Sequence, residues 1–60
     1  MTAILWFKDT SILAIEALEV DANLTANIIE ITRRKNSTLA FEFGDLDLLM
    51  VDGTKIYPTK

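Results

Sequence analysis

Arg33, Arg34 and Lys35 stand side by side in a chain that has only six basic residues against nine acidic ones. Arginine offers a planar fork of donors that suits phosphate or carboxylate, and lysine a mobile point charge. The chemistry on offer is therefore anion binding, to a nucleic-acid backbone or to an acidic protein surface. The same triplet also reads as a solvated turn that keeps a sheet soluble. Tyr57 is the other candidate binding residue: with Trp6 it is the aromatic most available for stacking. Phe41 and Phe43 alternate with polar residues, as core positions of a strand do.

Other constellations carry less. Glu42, Asp45, Asp47 and Asp52 are dense enough to suggest calcium, but their spacing fits no twelve-residue calcium loop, and Asp45 and Asp47 lack a convergent third ligand. No metal site is expected. Asp52-Gly53-Thr54 has the composition of the aspartic-protease triplet in a changed order, and a hairpin turn explains it. Histidine and cysteine are both absent. That excludes Ser-His-Asp and Cys-His nucleophile systems, thiolate metal sites and disulfides. A carboxylate pair, a Ser-Lys pair or a lone lysine would need a cleft that so short a chain rarely encloses. The expectation is a non-catalytic protein without a cofactor.

The stretch Ile29-Glu30-Ile31-Thr32-Arg33-Arg34-Lys35-Asn36-Ser37-Thr38-Leu39 resembles the opening strand and turn of the carbon-storage-regulator family, small homodimeric β proteins that bind mRNA hairpins. In that family a Thr-Arg-Arg run follows an apolar strand, and a Thr-Leu pair opens the next. The resemblance implies an RNA-contacting place for Arg33 and Arg34. It covers eleven of the 60 residues. The family carries the motif at its N-terminus, usually has Gly-Glu where Asn36-Ser37 stand, and needs more strands than the residues after Leu39 provide. It assigns no family here.

The elements that would position the basic triplet are two strand-like runs, Ile28 to Thr32 and Thr38 to Phe43, with Arg33 to Ser37 as the turn. Ile29 and Ile31 fall on one face, and Leu39, Phe41 and Phe43 alternate with polar or small residues, matching the period of two that a half-buried strand requires. A second hairpin joins Leu46–Val51 to Thr54–Tyr57 through Asp52-Gly53, the dipeptide that favours a type I′ turn because both turn residues take positive φ. That register sets Met50 opposite Lys55, Leu49 opposite Ile56 and Leu48 opposite Tyr57. Pro58 ends the strand. With Gly44-Asp45 as a turn, 28 to 57 reads as a four-stranded antiparallel meander. From Leu48 onward the strand is apolar on both faces, so it is central or meets a partner.

The first half is more ambiguous. Ile4 to Phe7 reads as a strand with Trp6 facing away from Leu5 and Phe7. Residues 11-20 hold good helix formers, yet a helix there would be apolar nearly all round; as a strand, Glu16 and Leu18 would share a face. A helix from Ala22 to Lys35 capped by Asp21 is a further alternative. The run of β-branched residues at 28, 29, 31 and 32 favours the strand.

Sixty residues form at most a single domain, spanning 1-60, and a chain of that size buries only about 60% of its unfolded surface. Half of the residues are hydrophobic and mean hydropathy is +0.26. Without disulfides or a structural metal, self-association is the remaining source of burial. A formal net charge of −3 and a pI near 4.6 argue against coating nucleic acid by overall charge. No apolar run approaches the ~20 residues of a membrane span, and the start does not read as a signal peptide, so the sequons at Asn23 and Asn36 read as chance. The expectation is a mainly β domain: a small antiparallel meander or partly open barrel of four to six strands, with a short helix in residues 11-20 as the variant. It would be cytoplasmic, have no membrane partner, and act as a homo-oligomeric module binding an unidentified protein. The alternative is an RNA-binding protein that uses Arg33-Arg34-Lys35.

Overall fold

The computed structural model describes residues 1–35 and 37–59. Its strands are β1 (Thr2–Phe7), β2 (Ile12–Glu16), β3 (Glu19–Asn23), β4 (Ile28–Arg34), β5 (Ser37–Glu42), β6 (Leu46–Val51) and β7 (Thr54–Tyr57), with a 3-10 turn at Phe43–Asp45 between β5 and β6. They form two antiparallel sheets, a four-stranded one ordered β2-β1-β6-β7 and a three-stranded one ordered β3-β4-β5.

Local chemistry sets each reversal. Between β1 and β2 the Asp9 carboxylate accepts hydrogen bonds from the backbone N–H and the hydroxyl of Ser11, and Thr10 takes a φ of 76°. Between β3 and β4, Asn23 Oδ1 accepts from Ala26 N at 3.0 Å and Asn27 adopts a φ of 62°, a region that asparagine tolerates better than most residues. Asp52 and Gly53 turn β6 into β7 with φ of 50° and 82°, the pair of positive values that a type I′ turn demands. The turn is tied to β1 twice: Asp52 N donates to Thr2 O at 2.9 Å and Thr2 N donates to Asp52 Oδ1 at 2.8 Å.

The core lies between the sheets. Ala3, Leu5 and Ile15 come from β1 and β2, Leu46 and Leu49 from β6, Ile29 and Ile31 from β4, with Ala17 and Phe43 from the connections; all are buried. Phe7 and Phe41 bring the two sheets together, their ring centroids 5.7 Å apart. The radius of gyration is 10.6 Å, close to the ~10 Å expected of a packed chain this long.

The mainly β character expected from the sequence is what the chain adopts, and the segment that held the helix alternatives explains why the described residues form seven strands. Residues 11-20 contain no helix: β2 ends at Glu16, and β3 starts at Glu19 in the other sheet. The corner is made by two adjacent residues. Ala17 exchanges backbone hydrogen bonds with Met1 at the margin of the first sheet, while Leu18 N donates to Thr32 O at 2.7 Å in the second. Glu16 and Leu18 thus never share a strand, which removes the conflict that made a strand look poor there. The helix from Ala22 to Lys35 is likewise absent, replaced by β3, a turn and β4.

The 28-to-57 meander is broken in the middle. Instead of reversing onto β5, the chain passes through Phe43–Asp45 into the other sheet, where β6 pairs with β1. Strand β6 is central, as its apolar character on both faces required. Met50 does face Lys55, but a register shift next to that pair sets Leu49 opposite Tyr57, so Ile56 is the extra residue and the expected pairs Leu49–Ile56 and Leu48–Tyr57 do not form.

Candidate interaction surfaces

The basic triplet sits at the far end of the β4–β5 hairpin. Arg33 and Arg34 belong to β4 itself, Arg34 pairs with Ser37, and a register shift between Thr32 and Arg34 leaves Arg33 as the bulged residue. The expected turn of Arg33 to Ser37 is therefore shorter, and one of its residues, Asn36, lies outside the described residues. All three cations are exposed, with Arg33 Nη2 donating a long hydrogen bond of 3.4 Å to Ser37 Oγ. An acidic residue is near: Glu19 stands opposite Thr32 at the base of the tip.

Tyr57 is not brought to that tip. It lies in the other sheet, half-buried, with its ring against Phe43 at a centroid distance of 4.7 Å and 35° between planes. Core packing holds the ring, leaving it less free to stack on a ligand than its position near the end of the last strand suggested.

A second surface emerges from the strand registers. On the three-stranded sheet the side facing away from the core is polar: Asp21, Glu30 and Ala40 lie in one row and Asn23, Ile28 and Glu42 in the next. An antiparallel sheet with one wet face alternates in this way. The four-stranded sheet does not. Its outward side carries Trp6 between Ile12 and Leu48, and beside that row Ile4 between Ala14 and Met50. Ile12 is 61% exposed, and Ile4, Trp6, Leu48 and Met50 are half-buried. Glu16 beside Thr2 on β2 and Lys55 beside Met50 on β7 stand at its two edges, and Asp52, which follows β6, has its carboxylate engaged by the backbone N–H of Thr2.

The signal for this face was partly present in the sequence. Trp6 facing away from Leu5 and Phe7, and Leu48 to Val51 being apolar on both sides, each mark a strand with no wet face. The pairing of β1 with β6, which lays the two outward rows side by side, joins residues 39 to 48 positions apart and leaves no local trace.

Among the described residues there is no cavity and no grouping of three or more potential metal ligands. Among the described residues no helix is long and apolar enough to cross a membrane. No protein-family model, curated protein or solved structure matches the chain.

Proposed function

We propose that this chain is a non-catalytic binding module that acts through protein–protein contacts as a homo-oligomer. The observation that carries the reading is the contrast between the two outward faces: the three-stranded sheet is polar where it meets water, and the four-stranded sheet is apolar there. Exposed apolar patches of a few hundred Å² or more mark interaction sites on soluble proteins. Tryptophan and methionine, both on this face, are enriched at such contacts. The cytoplasmic setting expected from the sequence remains part of the proposal.

The exposed cations of the β4–β5 tip support a second reading, binding to a nucleic-acid backbone. A pull-down from cell extract, with and without nuclease, separates the two. Under the first reading, bound protein survives nuclease, is lost with Leu48→Lys and is kept with Arg33→Ala/Arg34→Ala. Under the second, labelled RNA shifts with a salt slope of about 2 to 3 for a single tip, and the double Ala variant abolishes the shift. An RNA shift with these properties, and no protein sensitive to Leu48→Lys, would replace the first reading with the second.

A further inference from the structure

The outward apolar face has Glu16 and Lys55 at its opposite edges, and that placement says what can cover it. Resting on the protein-contact reading above, we propose that its occupant is a second copy of this chain, stacked sheet on sheet about a two-fold axis that runs parallel to the strands.

Strands lie about 4.8 Å apart, so Glu16 on β2 and Lys55 on β7 are separated across the sheet by three spacings, about 14 Å. A two-fold along the strands lays β2 over β7 of the second copy and β1 over β6. Trp6 then falls on Leu48 of the second copy, and Ile4 on Met50. Lys55 of each copy comes to rest over Ala14 of the other, two residues or about 7 Å along the strand from Glu16, within reach of two long side chains. Symmetry makes this contact twice. The other two-fold available in the plane of the face, perpendicular to the strands, lays each edge on itself. It would set Lys55 against Lys55 in the middle row. Charge thus selects the parallel axis, and face-to-face packing with nearly aligned strands is a common arrangement of two sheets.

Area sets the strength. Four strands wide and about five residues long, the face covers roughly 300 Å² in projection, less than the ~800 Å² per partner of a standard interface. The contact therefore belongs to the weak, transient class, not the obligate one.

The test uses the whole chain and exchanges the edge charges. Sedimentation equilibrium between about 1 and 200 μM should show a monomer–dimer transition. Emission from Trp6, the single tryptophan, should shift to shorter wavelength as the dimer forms. Lys55→Glu and Glu16→Lys should each weaken the dimer roughly tenfold or more, because two attractive contacts become repulsive. An equimolar mixture of the two variants should restore it, since each clash then becomes an opposite-charge pair. Glu16 also accepts from Thr2 Oγ1 at 2.9 Å and lies 3.3 Å from the terminal amine, so thermal midpoints of both variants establish that they are folded. Wild-type association that both charge variants leave unchanged would overturn this geometry and leave the protein-contact reading standing. A wild-type mass of 6.7 kDa across the whole range would remove the second copy as occupant, and the pull-down would still decide whether another protein uses the face.

Discussion

Gly53 takes a φ of 82° with nothing within 4 Å of the place where a Cβ would stand. A side chain there meets no neighbour, so the cost of adding one is confined to the backbone. Gly53→Ala should lower stability by about 1 kcal/mol, read from chemical denaturation. Gly53→Asn should lose less, because asparagine visits the left-handed region more readily. Asp9 offers a different probe of a single residue. The hydroxyl of Ser11 and, after it, the Ser11 backbone N–H hold its carboxyl below the ordinary value of 3.8, outweighing a small opposing effect of desolvation. A carboxyl whose folded pKa is depressed favours the folded state above its unfolded pKa, and that contribution fades as pH falls through the folded value. The window lies below pH 3.8, and at neutral pH the contribution is fully present. Ser11→Ala should move the Asp9 midpoint upward in an NMR titration. An unchanged midpoint would show that the hydroxyl is not the main cause.

At the scale of strands and turns, the polar face of the three-stranded sheet contains a conflict. Asp21 stands directly opposite Glu30, two like charges in a position where opposite charges would attract. Glu30→Lys should therefore stabilise the protein by about 0.5 kcal/mol at low salt, and by less as salt screens the pair. Elements held by local chemistry were the ones legible in the sequence. Asp52-Gly53 gave away its hairpin, and the alternation of Ile29 and Ile31 gave away the buried side of β4. The bulges at Arg33 and Ile56 were not legible, because a single extra residue in a ladder depends on how the strand must twist to meet its neighbour. The corner at Ala17 and Leu18 was hidden for a related reason. Its small buried alanine is as good a helix former as it is a corner residue, and only two sheets competing for adjacent backbone groups decide between them. Of the candidate binding residues, the three cations lie at an exposed hairpin end that the flanking alternation marks, while the packing of Tyr57 on Phe43 leaves no trace among the sequence neighbours of the tyrosine.

At the scale of the whole molecule, a 60-residue domain has only about 3 to 9 kcal/mol of stability. Leu49, fully buried between the sheets, would lose about 2 to 5 kcal/mol on truncation to alanine. Leu49→Ala should then lose a large share of that stability, read as a lowered midpoint in chemical denaturation, whereas Met50→Ala on the outward face should cost less than about 1 kcal/mol in the monomer. If the outward face takes a second copy, the thermal midpoint of the wild-type chain should rise with concentration by mass action, and that of Leu48→Lys should not. The connectivity also has a consequence in time. Every ladder but β1–β6 joins consecutive strands, and β3, β4 and β5 form a unit nested between the two strands of that exception. Closing the long loop is slow relative to forming hairpins, so the nested sheet is positioned to assemble first and to present the far strands to each other. Substitutions in β4 should then slow folding, and substitutions in β6 should mainly hasten unfolding. On the ribosome the order is stricter still: β1 and β2 are made before β3, β4 and β5, and β6 only after them. One edge of β1, the one that β6 covers, therefore stays open until the nested sheet has been made, and chaperones that recognise open strand edges have their longest opportunity in that interval.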